Sequence, residues 1–261
     1  MENNFKPALQ SICDEMQYFF DTVTTEERCE ANSFAGKPDT EFWGTGSGGF
    51  KALENYLVDN NYNVLGKGNY SIVIECPWSP WSPEYAIKIG HGGAGRGDIQ
   101  EDGWLSWAAF CMQQDKLNIY PRYMLPKIHD ILFNRNIYIA LMERYYCTYE
   151  DYDGGYIVLP DSGDDALVDL RYKALKLARA MYKGNIPTVE FHDGVVQDYL
   201  RVFRDPNCPS ITDLHDGNIM INAENMCLVI IDPSSEDYTI NKSDRLELFS
   251  ELGINIGQLL N

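Results

Sequence analysis

Asp213-Leu214-His215-Asp216-Gly217-Asn218-Ile219-Met220-Ile221 is followed, after a short turn, by Leu228-Val229-Ile230-Ile231-Asp232-Pro233. The two apolar runs read as the arms of a β-hairpin. An Asp and an Asn stand just before the first arm, and a second Asp closes the other. Phosphoryl transfer uses these residue types: one acid takes the proton of an acceptor hydroxyl, while an amide oxygen and a carboxylate hold Mg²⁺ against nucleotide phosphates. Asp213 is the expected acid, with Asn218 and Asp232 the expected metal ligands. Asp and Asn at such spacing are also ordinary turn residues, and Asp216-Gly217 is read as a turn. His215 reads first as a packed side chain and only secondarily as a phosphate contact. The reading gains force from what lies upstream.

There, Leu65-Gly66-Lys67-Gly68-Asn69-Tyr70-Ser71-Ile72-Val73 sits between two expected strands. Gly66 and Gly68 let a backbone approach phosphates closely and offer them its N–H groups, with Lys67 and Ser71 alongside. A GxG turn alone is equally a plain hairpin turn. One strand later, Ala86-Ile87-Lys88-Ile89 buries a lysine among apolar residues, which is costly unless an anion meets it. The α- and β-phosphates of ATP are such an anion; the alternative is an edge-strand lysine facing solvent. Glu101 begins the next expected helix and is the candidate to orient Lys88. Asp102 is second, and either acid also suits a helix N-terminus without further function. Glu143 and Tyr145, in Met142-Glu143-Arg144-Tyr145, follow an apolar strand where a hinge offers groups to an adenine ring. A strand simply ending in polar residues explains them as well.

Around these residues the chain reads as α+β. A helix carries Leu9, Ile12, Met16, Phe19 and Phe20 at helical spacing, a polar Gly-rich connector runs over 32–49, and a short helix covers Phe50 to Val58. Strands are expected at Val64-Leu65, Ser71 to Cys76, Tyr85 to Ile89, Met124 to Asp130 and Ile137 to Met142. Gly90 to Gly97 reads as a loop and Glu101 to Asp115 as a helix. An acidic, Tyr-rich linker spans Tyr145 to Tyr156. An amphipathic helix then carries Leu167, Leu170, Ala174, Leu177, Ala178 and Met181, another holds Val195 to Phe203, and Ser243 caps a last one through Leu252. This predicts three segments: an N-terminal helical extension and connector at 1–62, a β-rich lobe at 63–145, and a mostly helical lobe at 146–261.

Composition narrows the function. With 261 residues, 44% hydrophobic and 23% charged, the chain has the core of a globular protein. Its net charge of −18 opposes binding to nucleic acid or anionic membranes and leaves a basic protein partner open. Seven scattered cysteines, an odd number without a CxxC pair, read as reduced thiols of an intracellular protein. No apolar run suits a membrane span, and Met1 to Gln10 lacks the pattern of a signal peptide.

Taken together, residues 63–232 resemble the protein-kinase-like superfamily. More narrowly, they look like the Ser/Thr protein kinases made early in infection by bacteriophages of the T-seven type. The narrower likeness rests on Gly49-Phe50-Lys51, Leu65-Gly66-Lys67-Gly68, Ile87-Lys88-Ile89-Gly90, Glu101-Asp102, Ala109-Phe110-Cys111, Asp213 to Met220, and Asp232-Pro233-Ser234. The resemblance implies a bilobal fold, with an antiparallel sheet and one helix in the N-lobe and a shortened, mostly helical C-lobe. It also implies ATP and Mg²⁺ as cofactors, and host proteins of the bacterial cytoplasm as substrates, phosphorylated to redirect transcription and RNA processing. The chain departs from eukaryotic-type kinases in several places. Ile211-Thr212 replaces the usual His-Arg, His215 replaces a Lys, Asp232-Pro233-Ser234 replaces Asp-Phe-Gly, and the stretch after Asp232 is short for a full activation segment. The Asp-x-His-x-Gly-Asn form also occurs in aminoglycoside- and choline-kinase-like enzymes. Two alternatives therefore stand beside a protein kinase: a small-molecule phosphotransferase, and a kinase-like binding module that sequesters a host factor through its acidic surface.

Overall fold

A computed structural model describes residues 5–22, 51–67, 71–78, 85–91, 103–120, 124–134, 137–147, 165–180, 194–209, 211–222, 224–234 and 242–254. The chain is α+β and divides into two compact units that interleave in sequence. The first takes 1–102, 128–143 and 249–261; the second takes 103–127 and 144–248. Among the described residues, no helix is long and apolar enough to cross a membrane.

The first unit is built on a five-stranded antiparallel sheet, in the order β1-β2-β3-β5-β4. The strands are β1 (Val64–Lys67), β2 (Ser71–Glu75), β3 (Tyr85–His91), β4 (Ile128–Asn134) and β5 (Ile137–Glu143). Successive residues alternate faces, so the register sorts the side chains. One face carries Ile72, Ile74, Ile87, Ile89, Ile139 and Leu141, and helices α1 (Lys6–Thr22) and α2 (Lys51–Asp59) pack on it. Leu9, Ile12, Cys13 and Met16 of α1 and Leu53 and Leu57 of α2 are buried there, each large aliphatic contributing about 1.5–3 kcal/mol. Lys6 of α1 pairs with Asp130 of β4 at 3.6 Å. Asn61, at φ 64°, closes α2: Asn61 N donates to Val58 O at 3.0 Å and Tyr62 N to Leu57 O at 2.8 Å. This is the left-handed C-terminal stop that Asn tolerates better than most residues.

Two expectations are corrected here. Gly90 does not open a loop: β3 continues through it to His91. The ring of Tyr138, on the neighbouring strand β5, lies over the place where a side chain would stand, and a Cβ at Gly90 would meet that ring at 2.5 Å. Strand β4 runs from Ile128 to Asn134 rather than from Met124 to Asp130, with an irregularity between Ile128 and Asp130.

The second unit centres on helix α3 (Trp104–Leu117), whose Trp104, Leu105, Ser106, Trp107, Ala108, Ala109, Phe110, Cys111 and Gln114 are all buried. A helix buried nearly all round shows little amphipathic contrast. The unit also holds α4 (Asp165–Ala180), α5 (Gly194–Phe203) and a three-stranded antiparallel sheet in the order β6-β7-β8, with α4 packed against β7, β8 and α5. Its strands are β6 (Tyr146–Cys147), β7 (Ile219–Asn222) and β8 (Cys227–Ile230). A last helix, α6 (Lys242–Glu251), ends with Gly253 at φ 81°.

Candidate active-site loop

The hairpin legible in the sequence is present. β7 and β8 pair as Ile219↔Ile230, Met220↔Val229, Ile221↔Leu228 and Asn222↔Cys227. Its turn is set by Asn222, whose Oδ1 accepts the N–H groups of Glu224 at 2.9 Å and Asn225 at 3.1 Å, an Asx turn. β8 is an edge strand, so alternate carbonyls on its outer side need donors from elsewhere. Trp107 Nε1 donates to Ile230 O at 3.1 Å, and the Tyr199 hydroxyl donates to Leu228 O. This explains a buried Trp on α3 and a buried Tyr on α5: each brings a polar tip that Phe or Leu lacks. The strand leading to Asp232 is thereby fixed on both sides.

The stretch 211–218 is pinned to the stretch after β8 by a closed circuit of hydrogen bonds. Thr212 N and Asp213 N both donate to Pro233 O, at 3.0 and 2.9 Å. Asn218 Nδ2 donates to Asp213 O at 2.7 Å, and Ile231 N donates to Asn218 O at 3.0 Å. Ile211, Leu214 and Ile219 are buried beneath the loop and anchor it. Asp213 is half-buried, and among the described residues its carboxylate has no hydrogen-bond or ion-pair partner. Asn218 spends its amide N–H on the loop, and among the described residues its Oδ1, the atom a hard cation prefers, is uncommitted. His215 is exposed, and its Nδ1 accepts the N–H of Gly217 at 3.0 Å. In the neutral ring the proton therefore sits on Nε2. Asp232 is half-buried, one residue before the carbonyl that Asp213 grips.

Among the described residues, no group of three or more His, Cys, Asp or Glu side chains is arranged to hold a metal ion. Mg²⁺ bound against a nucleotide does not require one, because one or two protein oxygens suffice when phosphates and water supply the rest. The donor set of an amide oxygen and a carboxylate, Asn218 and Asp232, fits that chemistry.

In the first unit, Gly66, Val73, Lys88, Ala140 and Ile131 form one cross-strand row on the sheet face opposite α1 and α2. Lys88 is 4% exposed. Ser71 is buried on the same face, in the row of Gly90 and Tyr138. Lys67 is on the other side: it shares a row with Ile72 and Ile89, and its Nζ pairs with Glu54 of α2 at 2.7 Å. Its side chain is thus placed with α2 and away from Lys88's face, a result of the register shift between Val64 and Gly66 that the sequence does not signal. Glu143 ends β5 opposite Tyr85. In the second unit, Tyr145 is buried, and its hydroxyl accepts the N–H of Lys127 at 2.8 Å. Gly68, Glu101 and Asp102 lie outside the described residues, so the proposed partner of Lys88 does too. Two further carboxylates have defined structural roles that sequence reading missed. Glu54 holds Lys67, and Glu15 accepts hydrogen bonds from Tyr56 at 3.1 Å and Tyr62 at 2.7 Å. Acids scattered in helices carry no motif that announces such pairs.

The chain matches no protein-family model and no curated protein.

Proposed function

We propose that this chain is an ATP- and Mg²⁺-dependent phosphotransferase with a bilobal protein-kinase-like fold, acting on Ser and Thr hydroxyls of host proteins in a bacterial cytoplasm. One observation carries the reading. The hydrogen-bond circuit through Pro233, Asp213, Asn218 and Ile231 ties the loop down, yet among the described residues it leaves the Asp213 carboxylate and Asn218 Oδ1 uncommitted. Both residues are half-buried, so those two oxygens stay open to a substrate hydroxyl and a cation. An antiparallel sheet with a buried lysine on its third strand, and a helix between the third and fourth strands, support the same reading.

In this reading the acceptor oxygen forms a bond to the γ-phosphorus as the bond from that phosphorus to the β–γ bridging oxygen breaks. ADP leaves, and the hydroxyl proton passes to Asp213 late in the transfer. Asp213 also orients the hydroxyl. Asn218 and Asp232 would hold Mg²⁺, which neutralises charge on the β- and γ-phosphates. Lys88 meets the α- and β-phosphates, and the Gly66 backbone lies on its row. Catalysis then rests on positioning and electrostatics. The charge of −18 suits a basic protein acceptor.

The test is incubation of the protein with bacterial lysate and γ-labelled ATP, followed by phosphoamino-acid analysis. Label on protein Ser and Thr supports the proposal. Label confined to a small amine or aminoglycoside moves the acceptor class to small molecules. No label, with the biological effect intact in Asp232→Asn, assigns the chain to binding alone.

A further inference from the structure

Strand β1 is four residues long, lies at the edge of its sheet, and shifts register between Val64 and Gly66. A short edge strand beside a bulge has weakly specified register, and a one-residue slip moves every side chain to the opposite face. Here such a slip has a chemical consequence. It would carry Lys67 to the face of Lys88 and turn Gly66 away from that row. Something must hold β1 in place, and the apolar pattern of Val64-Leu65-Gly66-Lys67 is too short to do it.

The anchor is on α2. Glu54 takes Lys67 Nζ at 2.7 Å, with Glu54 29% and Lys67 50% exposed. The helix is itself held by Leu53 and Leu57 in the core, by Tyr56 bonded to Glu15, and by the Phe19–Tyr56 ring contact at 4.4 Å. Tyr62, just before β1, shares Glu15 through its hydroxyl. The lead into β1 and its last residue are therefore both tied to carboxylates of the N-terminal helices. We propose that Glu54 is a positioning residue for nucleotide binding, which selects the β1 register by holding Lys67 on the α2 face and so keeps the Gly66 backbone on the row of Lys88. This rests on the nucleotide-binding reading above, and it makes the N-terminal helices part of the nucleotide site's construction.

An exposed ion pair biases the two registers by about two- to five-fold. Glu54→Gln should accordingly raise KM for ATP by about two- to five-fold while kcat at saturating ATP stays within about two-fold. Amide hydrogen exchange at residues 64–67 of the nucleotide-free protein should quicken. The double exchange Glu54→Lys with Lys67→Glu should restore both. A fall in KM for Glu54→Gln would mean that Glu54 withholds Lys67 from phosphate, and would overturn the proposal. Unchanged exchange at 64–67 would overturn it as well. If the wild type neither binds nor turns over ATP, the functional reading has failed, and the exchange measurement alone still decides whether Glu54 sets the register.

Discussion

Asn218 Nδ2 donates to the carbonyl oxygen of Asp213 at 2.7 Å, so the residue proposed to hold the metal is also the clasp of the loop that carries the proposed acid. Asn218→Ala removes the clasp and the free oxygen together. The expected result is about 1 kcal/mol lost in chemical denaturation, and transfer slowed by about 10- to 100-fold with a higher Mg²⁺ requirement. Asn218→Asp keeps an oxygen but loses the donor, so it should restore part of the Mg²⁺ response and none of the stability.

Trp107→Phe tests the edge of the hairpin. It deletes the donor to Ile230 O while keeping most of the ring that packs on Phe110 and Phe203. A buried carbonyl left without its donor costs about 1–3 kcal/mol. Tyr199→Phe, which strips the donor from Leu228 O, should cost a similar amount. Urea titration with an unchanged slope is the measurement.

Gly90→Ala should destabilise by about 1–3 kcal/mol through overpacking, because the new Cβ would sit 2.5 Å from the Tyr138 ring. That ring is fully buried and lies against Phe133, with Phe249 beyond it. Thermal unfolding of Gly90→Ala, alone and with Tyr138→Leu, checks this: the second change should recover part of the loss.

Alkaline pH should weaken the fold. Burial, with Asp14 adding to it, pushes the Cys13 thiol up to about 12 from an ordinary value of 9.0. Cys208 is likewise raised to about 12, by burial and then by Asp205. Between those pH values the unfolded chain releases the thiol protons while the native state keeps them. Stability is therefore full below about pH 9 and falls as pH rises toward 12. Denaturation midpoints at pH 8 and at about pH 10.5 should show the fall, and Cys13→Ala should reduce its slope.

The parts legible in the sequence were those with a local signal. Asp213 to Ile221 and Leu228 to Ile230 announce a hairpin by apolar runs around an Asn-rich turn, and Ala86-Ile87-Lys88-Ile89 announces a buried strand with a misplaced charge. What escaped is set by long-range partners. Gly90 reads as a chain breaker, yet Tyr138 on the next strand requires a glycine inside β3. The polar pair His129-Asp130 read as the end of a strand, yet β4 runs on to Asn134, with Asp130 paired to Lys6 of a helix distant in sequence. Lys67 looked like a phosphate ligand because it stands between two glycines, and only the register shift beside Gly66 reveals that it belongs to Glu54. Glu101 to Asp115 read simply as a helix, whereas the fold buries almost the whole circumference of α3.

The central claim is that Asp213 performs proton transfer in a working phosphotransferase. The most direct measurement is the rate of γ-phosphoryl transfer from labelled ATP to a protein acceptor by the wild type and by Asp213→Ala, with circular dichroism confirming that both are folded. The account predicts transfer by the wild type and a rate lower by about 10²- to 10⁴-fold in the variant. Equal rates in the two proteins, or no transfer from the folded wild type in the presence of Mg²⁺, would contradict it.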